Sequence, residues 1–100
     1  MLAEAVRQDA LGWRGDISLE AGVLRVVMQD RAQQPLHGHV EGVLLRPLEG
    51  VEVPLGFTAT GHGRFAARLE PLRAGQWEAR LTFFDEAGMA FDMRKRFILP

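Results

Sequence analysis

The chain contains no cysteine. That excludes a disulfide framework, a thiolate zinc centre, a cysteine nucleophile and haem attachment through cysteine. It leaves the compartment open, because a cysteine-free domain folds on either side of a membrane if its core suffices. Long apolar runs are lacking too: none approaches the roughly 18 residues of a membrane-crossing helix, and no secretory leader pattern is present. Charge of one sign is also missing. Lys plus Arg number 12 against 13 Asp plus Glu, for a net charge of -1. A nucleic-acid binder needs a basic face to displace counterions, so no nucleic-acid partner is expected. No polybasic run addresses a membrane surface. The only serine, Ser18, falls on the polar phase of a strand with no nucleophile elbow around it, so no Ser-His-Asp triad is expected.

What is present is a pattern of short strands. The 100 residues, 47% hydrophobic and 25% charged, suit one folded domain. Residues 2 to 11 are good helix formers with Leu2 and Val6 four apart, and Gly12 is a natural stop. From Trp13 onward the period becomes two. Trp13, Ile17 and Leu19 alternate with polar residues; after Ala21-Gly22, Leu24, Val26 and Met28 do the same. Asp30 to Gly38 reads as a loop. In the third strand Val40, Gly42 and Leu44 are the expected inward set, while Val43 and Leu45 make the other face apolar as well. Val51 to Thr60 reads as one further strand, with Pro54 marking an edge. The clearest stretch is Gly61 to Phe83. Phe65, Ala67 and Leu69 face inward on one strand, Trp77, Ala79, Leu81 and Phe83 on the next, with a corner at Pro71 to Gly75. Asp85-Glu86-Ala87-Gly88 is a hairpin turn. In the last strand Met89, Phe91 and Met93 oppose Asp92, Arg94 and Arg96. The sum is an expected all-β fold: a seven-stranded antiparallel sandwich of immunoglobulin-like kind over residues 12–100, after a helical lead-in over residues 1–11. Trp13, Trp77 and the phenylalanines would fill the space between its sheets.

Candidate chemistry is sparse. His37-Gly38-His39 places two imidazoles on one face if the strand is regular there, a candidate site for a copper or zinc ion with a third ligand. Met28, Met89 or Met93 could supply a thioether to Cu(I), Met28 being the candidate taken with the two histidines. The bland alternative is that Met28, Met89 and Met93 are core packing and the histidines are solvated at loop ends. Asp9, Asp16, Asp30, Asp85, Glu86 and Asp92 fall on polar faces or in turns, with no pair set across a cleft. Gly61-His62-Gly63 lacks the Lys-Ser/Thr end of a phosphate loop and reads as a hairpin corner. In Arg94-Lys95-Arg96 the middle side chain points away from its neighbours, which suits an edge strand guarded by charge. Nothing pairs a nucleophile with a base, so the chain is not expected to be an enzyme.

With the strands in place, the chain resembles the FixH family. The residues that carry the likeness are Leu11-Gly12-Trp13, the Leu24-to-Asp30 strand followed by Pro35-Leu36, Val40-x-Gly42-x-Leu44, Phe57, Gly63-x-Phe65-x-Ala67-x-Leu69, Gly75-Gln76-Trp77 with Leu81, and the Phe91-to-Phe97 strand. The likeness covers nearly the whole chain, and Ala3 to Leu11 resembles the family's segment just after its membrane anchor. It implies a periplasmic accessory domain on a single N-terminal transmembrane helix of the bacterial inner membrane, absent from this chain, which is then the soluble domain alone. It also implies a role in assembling a cbb-type cytochrome oxidase, in a nitrogen-fixation setting, beside a copper-type cation pump. The implied partner is that pump or an oxidase subunit, and no cofactor is implied beyond the copper alternative. A generic extracytoplasmic interaction module is the other reading. The family supplies no catalytic residues. Gly12, Trp13, Gly63, Phe65, Gly75 and Trp77 are expected to be structural, and Val43 and Leu45 are the expected partner surface.

Overall fold

The computed structural model describes residues 11–100. Of the expected helical lead-in over residues 1–11, residues 1–10 lie outside the described residues. Eight strands follow: β1 (Arg14–Glu20), β2 (Val23–Gln29), β3 (Gly38–Arg46), β4 (Val51–Gly56), β5 (Thr58–Gly61), β6 (Arg64–Arg68), β7 (Gly75–Asp85) and β8 (Ala90–Leu99). They form two four-stranded antiparallel sheets, one in the order β1-β2-β6-β5 and the other in the order β4-β3-β7-β8. Among the described residues no helix is long and apolar enough to cross a membrane.

The eighth strand corrects the expected seven. The stretch from Val51 to Thr60 is two strands: β4 pairs with β3 in one sheet, and β5 pairs with β6 in the other. The chain changes sheet at Phe57, which packs against the core. Alternation does not register such a crossing. Leu55 and Phe57 both approach one shared core, so the period of two runs on unbroken while the hydrogen-bonding partner changes.

The inward sets are otherwise those of the alternation. Leu24, Val26, Met28, Val40, Leu44, Phe65, Ala67, Trp77, Ala79, Leu81 and Phe83 are buried. The third strand's register is settled by Val40 lying opposite Phe83 and Leu44 opposite Ala79, which turns Val43 and Leu45 outward. At the centre Phe83 meets Trp13 edge-on at 5.8 Å and Phe65 at 5.8 Å. Trp77 is tied down by donating its indole N–H to the Arg73 carbonyl at 3.0 Å, with the Arg46 guanidinium 5.3 Å from its ring centre. Gly15 leaves room for the sulfurs of both Met28 and Met93, one from each sheet. Met89, expected on the core face, is instead exposed. It precedes β8 in the hairpin, where its N–H donates to Asp85 Oδ1 at 2.7 Å and its carbonyl accepts the Asp85 N–H, so it closes the turn and is no part of the strand.

Both sheets have open edges, and each is guarded. Pro54 lies in edge strand β4, and β5 carries a register shift between Ala59 and Gly61. On the other flank Lys95, on the inward phase of β8, donates from Nζ to the Ile17 carbonyl of β1 at 2.9 Å. One ammonium thus occupies a backbone acceptor of one edge strand and places a charge on the other. Lys95→Met is expected to cost about 1 kcal/mol and to make the chain self-associate at lower concentration than the wild type. Sedimentation velocity over a concentration series checks this.

Candidate functional site

The strands run between two ends with different chemistry. β7 spans the molecule from Gly75 to Asp85, a separation of about 33 Å at strand rise. The Asp85 end carries the loop before β3, the β5–β6 hairpin and the β7–β8 hairpin. The Gly75 end carries the β1–β2 and β3–β4 turns and the Pro71–Ala74 connector.

At the Asp85 end an open cleft of about 700 Å³ is lined by His37, Gly38, His39, Glu41, Phe84, Asp85, Glu86 and Gly88. The candidate set His37, His39 and Met28 is divided there. Residue 37 precedes the regular strand, which begins at Gly38, so alternation does not govern its side chain. His39 stacks on Phe84 at 5.1 Å, and its Nε2 lies 2.9 Å from Glu41 Oε2. The ring contact of His37 is with His62, at 5.2 Å between centroids. The Met28 side chain is fully buried, its sulfur beside Gly15 in the core. Among the described residues no group of three or more His, Cys, Asp or Glu is arranged to hold a metal ion.

The outer face of the β4-β3-β7-β8 sheet holds Val43 and Leu45. Neither forms an exposed apolar patch: both are half-buried, Val43 between Pro54 and Arg80 and Leu45 between Glu52 and Glu78. The feature of this face is Glu78. It lies on the outward phase of β7 yet is 2% exposed, covered by the guanidinium groups that bind it. Arg80 Nε donates to Oε2 at 2.5 Å and Arg96 Nε to Oε1 at 3.2 Å. The hydrogen bond from Arg80 is the main reason the carboxyl titrates below its ordinary range. Arg96's hydrogen bond and the charges of Arg80 and Arg94 add to it, and burial works against them. A depressed carboxyl contributes stability that is present above the unfolded-state value, about pH 4.3, and is lost as pH falls through the lower folded-state value. Glu78→Gln should therefore be less stable than the wild type at neutral pH, with the gap narrowing as pH drops below about 4. Urea midpoints from pH 7 to pH 3 check it; a pH-independent gap contradicts it. The pairing was not legible beforehand, because Arg96 meets Glu78 only once the β7–β8 register is known.

The two most exposed large apolar side chains are at the Gly75 end. Leu48 is 95% exposed in the β3–β4 turn, and Ile98 is 79% exposed on the outward phase of β8. Ile98 stands at the rim of a groove of about 470 Å³ lined by Leu19, Leu69, Leu72, Phe97 and Leu99. Gln76, opposite Ile98 in the sheet, shares a smaller cleft with Leu48. The turn is held by Arg46, which pairs with Glu49 and donates to the Ala74 carbonyl at 3.0 Å, and by Arg73, which pairs with Glu49 at 2.9 Å. Both apolar residues carried a signal. Leu48 sits between Pro47 and Glu49-Gly50 in a turn, and Ile98 takes the phase of Asp92, Arg94 and Arg96.

A sequence model of the FixH family matches residues 1–98. No curated protein matches the chain significantly. Among solved structures, the chain is similar to the crystal structure of CopC from Methylosinus trichosporium OB3b, with a TM-score of 0.61 and 8% sequence identity over 85% of this chain and 92% of that one. At that identity the likeness is one of fold.

Proposed function

Because the chain belongs to the FixH family, we propose that it is a non-enzymatic accessory domain on the periplasmic face of the inner membrane. It acts in the assembly of a cbb-type cytochrome oxidase, by contact with a copper-type cation pump or an oxidase subunit. The observation that carries this reading is the family match over residues 1–98. The fold supports a docking role: its exposed large apolar side chains include Leu48 and Ile98 at one end. We place the partner contact there, and not at Val43 and Leu45, because large apolar side chains beside a groove are what a desolvated protein contact uses.

The test is co-purification of the full-length, membrane-anchored protein from membranes after mild detergent extraction. The expected result is recovery of a pump or oxidase subunit with the wild type and its loss with a Leu48→Asp/Ile98→Asp double variant. The substitutions are at exposed positions and should leave stability within about 0.5 kcal/mol each. Recovery of neither subunit with the wild type contradicts the reading.

A further inference from the structure

His37 and His62 come from segments 25 positions apart, and one strand's backbone brings them together. The Met28 N–H donates to the Gly63 carbonyl at 2.8 Å, and the Met28 carbonyl accepts the Leu36 N–H at 3.1 Å. A single residue of β2 thus holds the residue after His62 and the residue before His37. Pro35 forms a bridge to Gln29 next to it. Gly63 makes the approach possible: its φ is +67°, and a Cβ there would lie 2.6 Å from the Met28 carbonyl oxygen and 2.9 Å from Pro35. The two rings are 5.2 Å apart between centroids with an interplanar angle of 81°. Both residues are exposed, so a solvated ion reaches them without opening the core.

The separation has a chemical meaning. Zinc–imidazole bonds are about 2.0–2.1 Å long, and two imidazoles on one tetrahedral ion have their ring centres about 5 Å apart. The surroundings favour a cation. The adjoining cleft that His37 lines carries Glu41, Asp85 and Glu86, and no lysine or arginine is among its described lining residues. His39 is committed elsewhere, to Glu41 and Phe84.

We propose that His37 and His62 form a two-imidazole chelating site for a divalent transition-metal ion, Cu(II) in preference to Zn(II), with water completing the coordination. Imidazole suits both ions, and the order follows the general affinity series. The site lies at the opposite end of the sandwich from Leu48 and Ile98 and does not depend on the partner contact placed there.

Titration calorimetry of the purified domain with Cu(II) and Zn(II) salts tests it. One ion should bind per chain, and each of His37→Ala and His62→Ala should weaken Cu(II) binding by roughly 100-fold, the gain a second linked ligand provides. His39→Ala should change it less than threefold. In ring-nitrogen NMR spectra, sub-stoichiometric Zn(II) should shift His37 and His62 and leave His39 in place. All three positions are on the surface, and near-ultraviolet circular dichroism verifies that each variant keeps the fold. Failure of the wild type to bind Cu(II) more tightly than a His37→Ala/His62→Ala double variant overturns the proposal. So does a His39→Ala loss as large as that of His37→Ala.

Discussion

Phe83→Ala is expected to lower the stability of the domain by about 3–5 kcal/mol. Phe83 is completely buried and is the ring on which Trp13 and Phe65 converge, one from the segment leading into β1 and one from β6. Removing it withdraws apolar area from the core and leaves a void between two sheets whose backbones are held by their own hydrogen-bond ladders. Such a void collapses only partly, so its cost adds to the transfer loss. With no cysteine in the chain, no disulfide limits the unfolded state. A domain of this size has about 5–15 kcal/mol in total, so the variant should be near half-unfolded in mild denaturant. Urea unfolding followed by tryptophan fluorescence measures it. A loss under about 1 kcal/mol would mean that the two sheets are not packed through this ring.

Gly42→Ala should cost about 3 kcal/mol, the upper range for overpacking a core. Gly42 is on the inward phase of β3, between Leu55 of β4 and Leu81 of β7. A Cβ there would lie 2.7 Å from Leu81 Cδ2 and 2.9 Å from the Leu81 Cα, and closer still to the Arg80 carbonyl oxygen. The leucine methyl can rotate away, but the β7 backbone cannot, since it is paired on both sides. The usual gain from replacing glycine, about 0.4–1 kcal/mol through the unfolded chain, is too small to offset this. By contrast, Gly50→Ala meets no atom within 4 Å, and its only penalty is a positive φ of 68°. Thermal unfolding of the two variants side by side should therefore show the larger drop at Gly42. The reverse order would contradict the close approach of β3 and β7.

Most of the architecture was legible because alternation reports which side of a strand is wet. It identified the buried set from Leu24 to Phe83 and the outward turn of Arg94 and Arg96. It could not show that Leu55 and Phe57 belong to different sheets, because both sheets share the core. It also failed at residue 37, where the strand has not begun, and so grouped His37 with His39. The actual neighbour of His37 is His62, and that proximity depends on the Met28 hydrogen bonds, which join segments far apart in sequence. The same limit hid Glu78. Its polar phase was correct, but its burial comes from Arg80 and Arg96 closing over it. Val43 and Leu45 drew notice because they are apolar on the outer face, whereas exposure belongs to Leu48 and Ile98, at a turn and near a strand end.

A photo-activatable cross-linking residue placed singly at Leu48, Ile98, Thr58 or His62 in the protein expressed in its bacterial host tests the proposed role most directly. Irradiation of intact cells during oxidase assembly should join the Leu48 and Ile98 positions to a pump or oxidase subunit, identified by mass spectrometry. Thr58 lies on an exposed strand of the other sheet and His62 at the far end, and both should give none. Adducts to the same subunit from Thr58 or His62 at comparable yield, with none from Ile98, would contradict docking through the Gly75 end.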